Sequence, residues 1–87
     1  MPSATPSIFI TGAAAGIGRA IALRFARAGW FVGGFDVDEA GLQALQGELG
    51  ARGHVGRLDV SREEDWRTQL ADFHAAAGGR LDVLVNN

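Results

Sequence analysis

The chain has 87 residues, 47% of them hydrophobic and 21% charged, with a formal net charge of −2 and no cysteine. That is the composition of a single globular domain, and it argues against a disulfide scaffold, a cysteine metal site and an electrostatic partner such as nucleic acid or an acidic membrane. No apolar run approaches the roughly 20 residues that span a bilayer, and the start, Met1 to Pro6, lacks the basic and apolar stretches of a secretion signal, so the expected location is the cytoplasm.

Residues 1–6 read as a short polar arm, expected to be flexible. Ser7 to Thr11 is a buried strand, followed at once by Gly12-Ala13-Ala14-Ala15-Gly16-Ile17-Gly18. A first helix is expected from about Gly16 to Ala28, with Ile17, Ala20, Ile21, Phe25 and Ala28 on one face, Arg19 and Arg27 off it, and Gly29 as its stop. Trp30 to Asp36 is the second strand. Its central glycines, Gly33 and Gly34, are tolerable where a helix packs tightly against them. Asp38 caps a second helix whose Leu42, Leu45 and Leu49 recur at helical spacing, and Gly50 ends it. The third strand, His54 to Asp59, is diluted by Gly53, Gly56 and Arg57 at its edges and centre. Ser61 with Glu64 has the spacing of a capping box before a third helix with a buried stripe of Trp66, Leu70, Phe73 and Ala77, ended by Gly78-Gly79. Leu81 to Val85 is the fourth strand. This β-α-β-α-β-α-β alternation predicts a parallel sheet with right-handed crossovers and strand order 3-2-1-4.

The chemistry concentrates in the turn after the first strand. Gly12 lets the chain leave the strand sharply, Gly16 leaves the backbone open to a pyrophosphate, and Gly18 lets the new helix pack close to the strand. The free amides and positive dipole end of that helix favour an anion. Asp36 stands eighteen positions after Gly18, close to the ~20 expected of an acid that accepts the hydroxyls of an adenosine ribose. Such a carboxylate repels a 2′-phosphate and so selects NAD over NADP. Ala15 and Val37, neither of them basic, agree. The competing reading of Asp36 is a solvated acid at a strand end; Asp38 is a rival for the ribose but is better explained as the helix cap.

Together with Asp36, the pair Asp59-Val60 after the third strand and Asn86-Asn87 after the fourth, the turn resembles that of the short-chain dehydrogenase/reductase family, whose members carry Thr-Gly-x-x-x-Gly-Ile-Gly. The resemblance implies an α/β, Rossmann-type fold with Thr11, Gly12, Gly16, Ile17, Gly18, Asp36, Asp59, Val60 and Asn86 around the cofactor. It implies that Asp59 accepts from the adenine amino group, that Val60 lines the ring, and that Asn86 and Asn87 fix the floor of the cleft near Thr11 and Gly12. Read from the residues alone, Asp59-Val60 is equally well a strand-end turn feeding a helix cap.

The resemblance also implies hydride transfer between nicotinamide and an alcohol or ketone carbon, with a Ser and a Tyr-x-x-x-Lys pair carrying the acid–base work. This chain has no tyrosine, and all eight of its basic residues are arginines, so no catalytic residue is assigned. Residues 7–87 are therefore expected to be part of a dinucleotide-binding domain, cut after the fourth strand, from a longer NAD-dependent enzyme that is a homo-oligomer at full length. The rival expectation is a stand-alone nucleotide-binding or interaction module without catalysis. His54 and His74 have no second ligand at metal spacing and read as surface residues, while Trp66 and Phe73 read as core.

Overall fold

The computed structural model describes residues 4–87. In chain order the elements are β1 (Ser7–Thr11), α1 (Gly16–Arg27), β2 (Phe31–Asp36), α2 (Glu39–Leu49), a 3-10 turn (Gly50–Arg52), β3 (Gly53–Arg57), α3 (Glu63–Ala76) and β4 (Val83–Val85). The four strands form one parallel sheet in the order β3-β2-β1-β4, as the alternation of elements predicts.

β1 is buried along its whole length, and its alternating side chains divide the interior into two layers. Ile8 and Ile10 pack with Ala22, Val32, Leu45 and Leu49 beneath α1 and α2. Phe9 goes to the opposite face, with Phe35, Leu58, Phe73 and Ala77 beneath α3. There the Phe9 ring stacks on Phe35 with centroids 4.0 Å apart and meets Phe73 edge-on at 5.5 Å. The two glycines of β2 are the seats of the helices. A Cβ on Gly33 would lie 2.5 Å from Phe73 Cδ1, and one on Gly34 2.7 Å from Leu45 Cδ2.

The elements differ from the sequence reading in several details. In α1 the buried residues are Gly18 and Ala22, while Ile17 is 72% exposed and Ala20 and Ala28 are exposed. The smallest side chains face the sheet because they let the helix axis come close to the strands, and the bulkier Ile21 and Phe25 pack at the flank. Trp30 precedes β2 rather than opening it: its amide donates to Phe25 O, and its ring meets Phe25 edge-on at 5.0 Å. β3 ends at Arg57, and Leu58 N donates to Asp36 O as the chain leaves the ladder. His54, within β3, is half-buried with its ring 6.1 Å from Phe35 rather than at the surface.

The expected Ser61–Glu64 capping box does not form. α3 starts one residue later than that box requires, and the Ser61 hydroxyl and amide both donate to Asp59 Oδ1, at 2.6 and 2.9 Å, bonds to a charged acceptor that hold Ser61 in the preceding turn. α3 instead starts from Arg62 without a side-chain cap, and Glu63, Glu64 and Asp65 in its first turn complement its dipole. At α2 the expected cap is present, with Gly41 N donating to Asp38 Oδ1 at 3.0 Å.

β4 is shorter than the expected Leu81 to Val85 because Asp82 is engaged as a clamp. Its carboxylate accepts from Ser7 N and from Arg80 Nε, both at 2.8 Å, and its own amide donates to Ser7 O. The Ser7 hydroxyl donates to Arg80 O. The Ser7 amide first, and then Arg80, hold the Asp82 carboxyl below the usual carboxylate range. Of the N-terminal arm, residues 1–3 lie outside the described residues. Ala4 O accepts from Arg80 Nη1 and Pro6 O from Phe31 N, each at 2.9 Å.

Candidate functional site

The parallel arrangement carries the carboxyl ends of all four strands to one edge of the sheet, where open α/β sheets place their ligands. A cleft of about 390 Å³ opens there, lined by Gly12 after β1, Asp36 and Val37 after β2, Leu58, Asp59 and Val60 after β3, and Asn87 after β4.

The glycine turn forms one wall. Gly12 and Gly16 have φ of 66° and 59°, the left-handed region that side-chain-bearing residues disfavour. A Cβ on Gly18 would lie 2.1 Å from Gly12 O, so the start of α1 rests directly on the turn. A Cβ on Gly16 would meet nothing within 4 Å. α1 begins after Ala15, which offers no side-chain cap, and has no acidic residue in its first turn. Its positive end is left for an external anion.

Asp36 ties this wall to β2. Its Oδ2 accepts from Ala14 N at 3.1 Å, and its Oδ1 from Val37 N at 2.7 Å and Asp38 N at 3.1 Å. The three amides fix the carboxylate at the cleft edge, half-buried, and take three of its roughly four acceptor positions, leaving about one on Oδ2. The Asp59 carboxyl stands across from it. The Ser61 hydroxyl and amide, with smaller contributions from Arg57 and Arg62, hold it below the usual carboxylate range. Val37 and Val60 are each 53% exposed, so two apolar side chains flank a slot with carboxylates on its rim.

The floor is a network around Thr11, which is fully buried. Its Oγ1 donates to Asn86 Oδ1 at 3.1 Å and accepts from Asn87 N at 3.0 Å. Asn87 Nδ2 donates to Gly12 O at 3.4 Å. Of the expected site residues, Gly12, Asp36, Asp59 and Val60 line the cleft. Thr11 lies beneath it, Gly18 packs behind the turn, and Gly16 and Ile17 open α1. Asn86 faces Thr11, and it is Asn87 that reaches the cleft surface. Val37 and Leu58 were not singled out as lining residues; the signal available for Val37 was an apolar residue directly after a strand-end acid.

The model of the short chain dehydrogenase family matches residues 6–87. The chain belongs to that family. It is 49% identical over 81 residues to the L-fucose dehydrogenase of Oryctolagus cuniculus, covering 92% of this chain and 28% of that protein. Among solved structures it superimposes on an actinorhodin polyketide ketoreductase with NADPH at a TM-score of 0.89 and 30% identity, covering 100% of this chain and 34% of the other. It also superimposes on a 3-ketoacyl-(acyl-carrier-protein) reductase of Brucella melitensis complexed with NADH, with TM-score 0.84 and 30% identity, over 94% of this chain and 33% of the other. The chain spans about a third of these family members.

Proposed function

We propose that this chain is the NAD-binding part of an oxidoreductase that moves a hydride between nicotinamide and an alcohol or ketone. The observation that carries the choice of cofactor is the Asp36 carboxylate, oriented by the Ala14, Val37 and Asp38 amides at the cleft edge. There its remaining acceptor position takes a hydroxyl of the adenosine ribose, and its charge repels a phosphate at the 2′ position. The cleft fits the rest of the dinucleotide as well. The open approach at Gly16 and the uncapped start of α1 suit a pyrophosphate, and Val37 and Val60 suit the faces of an adenine ring. When bound, the nicotinamide supplies the hydride or accepts it. The residues described here bind and orient; with neither tyrosine nor lysine among the 87, none of them is assigned the proton transfer.

The test is calorimetric titration with NADH and NADPH, repeated on the double variant Asp36→Ala, Val37→Arg. The native protein should prefer NADH by at least about tenfold, one lost charge repulsion or strong hydrogen bond being worth roughly that factor. The double variant should narrow or reverse the preference. An unchanged ratio would place the ribose elsewhere, and no binding of either dinucleotide would favour an interaction module.

A further inference from the structure

The turn that carries Asp59 and Val60 belongs to the cleft, yet it is held in place by two side chains that do not line it. Both come from the first turn of α3. Asp65 Oδ2 accepts from Asp59 N at 2.9 Å, and Trp66 Nε1 donates to Val60 O at 2.9 Å. These bonds grip the two peptide units on either side of the Asp59–Val60 link, one through a donor and one through an acceptor. The turn has internal bonds of its own, from Arg62 N to Asp59 O and from Ser61 to the Asp59 carboxylate. Those set its shape but not its position relative to the sheet.

Position comes from Leu58, whose amide donates to Asp36 O and whose side chain is buried, and from what lies behind the two side chains. The Trp66 ring stacks on Phe9 with centroids 5.9 Å apart and an interplanar angle of 22°, and Phe9 is fully buried in the central strand. Asp65 is also 4.0 Å from Arg57 at the end of β3. A rigid line therefore runs from β1 through the Trp66 indole to the Val60 carbonyl. We propose that Trp66 and Asp65 are positioning residues that set the height of Val60 against the adenine face of the bound dinucleotide. The indole N–H acts as the adjustable link. This rests on the NAD-binding reading above.

A purely structural role for these residues would weaken every ligand alike. A positioning role acts on the adenine half alone, because only Asp59 and Val60 move. Trp66→Phe keeps an aromatic ring on Phe9 while removing the donor together with part of the ring, and an unchanged circular-dichroism spectrum checks that the fold survives. Asp65→Ala removes the acceptor, and Asp65→Asn restores one through its amide oxygen. In calorimetric titrations of the purified protein, Trp66→Phe should raise the Kd for NAD and for AMP by the same factor, roughly fivefold for one ordinary hydrogen bond. The Kd for nicotinamide mononucleotide should be unchanged. Asp65→Ala should do the same, and Asp65→Asn should recover most of the loss. Equal Kd values for NAD in Trp66→Phe, Asp65→Ala and the native protein would overturn the positioning role, as would parallel losses for AMP and nicotinamide mononucleotide. Failure of the native protein to bind NAD would instead remove the reading on which the inference rests.

Discussion

Adding one methyl group at either of two positions in the same turn should separate its two tasks, folding and anion binding. At Gly18 the methyl would stand 2.1 Å from Gly12 O and 2.9 Å from Asn87 Nδ2. To reach ordinary contact, α1 must move away from the turn by more than an ångström. The obstacle is backbone, held by the Asn87 amide that crowds the same methyl, so it cannot rotate aside as a flexible side chain would. Overpacking of this kind costs about 1–3 kcal/mol, and a backbone obstacle puts Gly18→Ala at the upper end. In a domain of this length each kcal/mol lowers Tm by about 4–8 °C, so the loss should be at least about 12 °C.

At Gly16 the same methyl meets no protein atom within 4 Å. The stability cost comes only from φ of 59°, about 1 kcal/mol for a side chain in the left-handed region, or roughly 4–8 °C in Tm. Its main effect should be on the ligand, since it stands at the start of α1, where the pyrophosphate is proposed to meet the first amides. Losing one hydrogen bond to a charged group, about 1.5–3 kcal/mol, raises the Kd for NADH about tenfold or more. Thermal unfolding followed by circular dichroism and NADH titration on the still-folded variants measure both quantities. Native affinity in Gly16→Ala would show that the phosphates bind elsewhere. A Gly18→Ala protein as stable as the native one would show that α1 does not rest on Gly12.

Asp82 should make stability acid-sensitive. Its folded pKa lies below its unfolded one, so its contribution is present above the ordinary carboxylate value of about 3.9 and is lost as pH falls through the lower folded value. Asp82→Asn should therefore lower Tm at neutral pH and flatten the fall of Tm on the acid side, and a variant with the native slope would remove Asp82 as a cause. The outer edge of β4 has no strand partner among the described residues, and Val83 and Leu84 are 37% and 45% exposed. Residues 1–87 produced alone should self-associate through it and form no NADH from alcohols. A monodisperse monomer by light scattering would contradict the first expectation, and turnover the second.

The sheet was legible because its order depends on coarse alternation, and each apolar run is bounded by its own turn residues. Gly33 and Gly34 even forecast where helices seat, since a glycine pair in a central strand is tolerable only under close packing. What stayed hidden depended on contacts between segments far apart in sequence. Ser61 and Glu64 have the spacing of a capping box, but spacing says nothing about Asp59 holding Ser61 in the turn, one residue before the position from which α3 starts. In α1 the alanines make several faces nearly equal in hydrophobicity, and only the sheet beneath picks Gly18 and Ala22. Asn86 and Asn87 are adjacent, so neighbouring side chains diverge. Which one turns to Thr11 and which to the cleft follows from the path of the chain after β4.

The residues at the cleft are also residues of the fold, and this decides how they can vary. Asp36 is oriented by three amides that take all but about one of its acceptor positions, and one of those amides, Ala14, belongs to the glycine turn. Thr11 ties β1 to the segment after β4 through both asparagines. Removing the Asp36 carboxylate therefore leaves Ala14 N without its partner as well as removing the acceptor proposed for the ribose, and an asparagine there would restore only part of each. The same connection runs in reverse. A dinucleotide that bridges the turn, Asp36 and Val60 engages segments that belong to three different strand ends, and binding to the folded state alone stabilises it by mass action. Ligand affinity and thermal stability should therefore rise and fall together across cleft variants, with the loss of affinity the larger effect at Gly16, where an added methyl meets no protein atom.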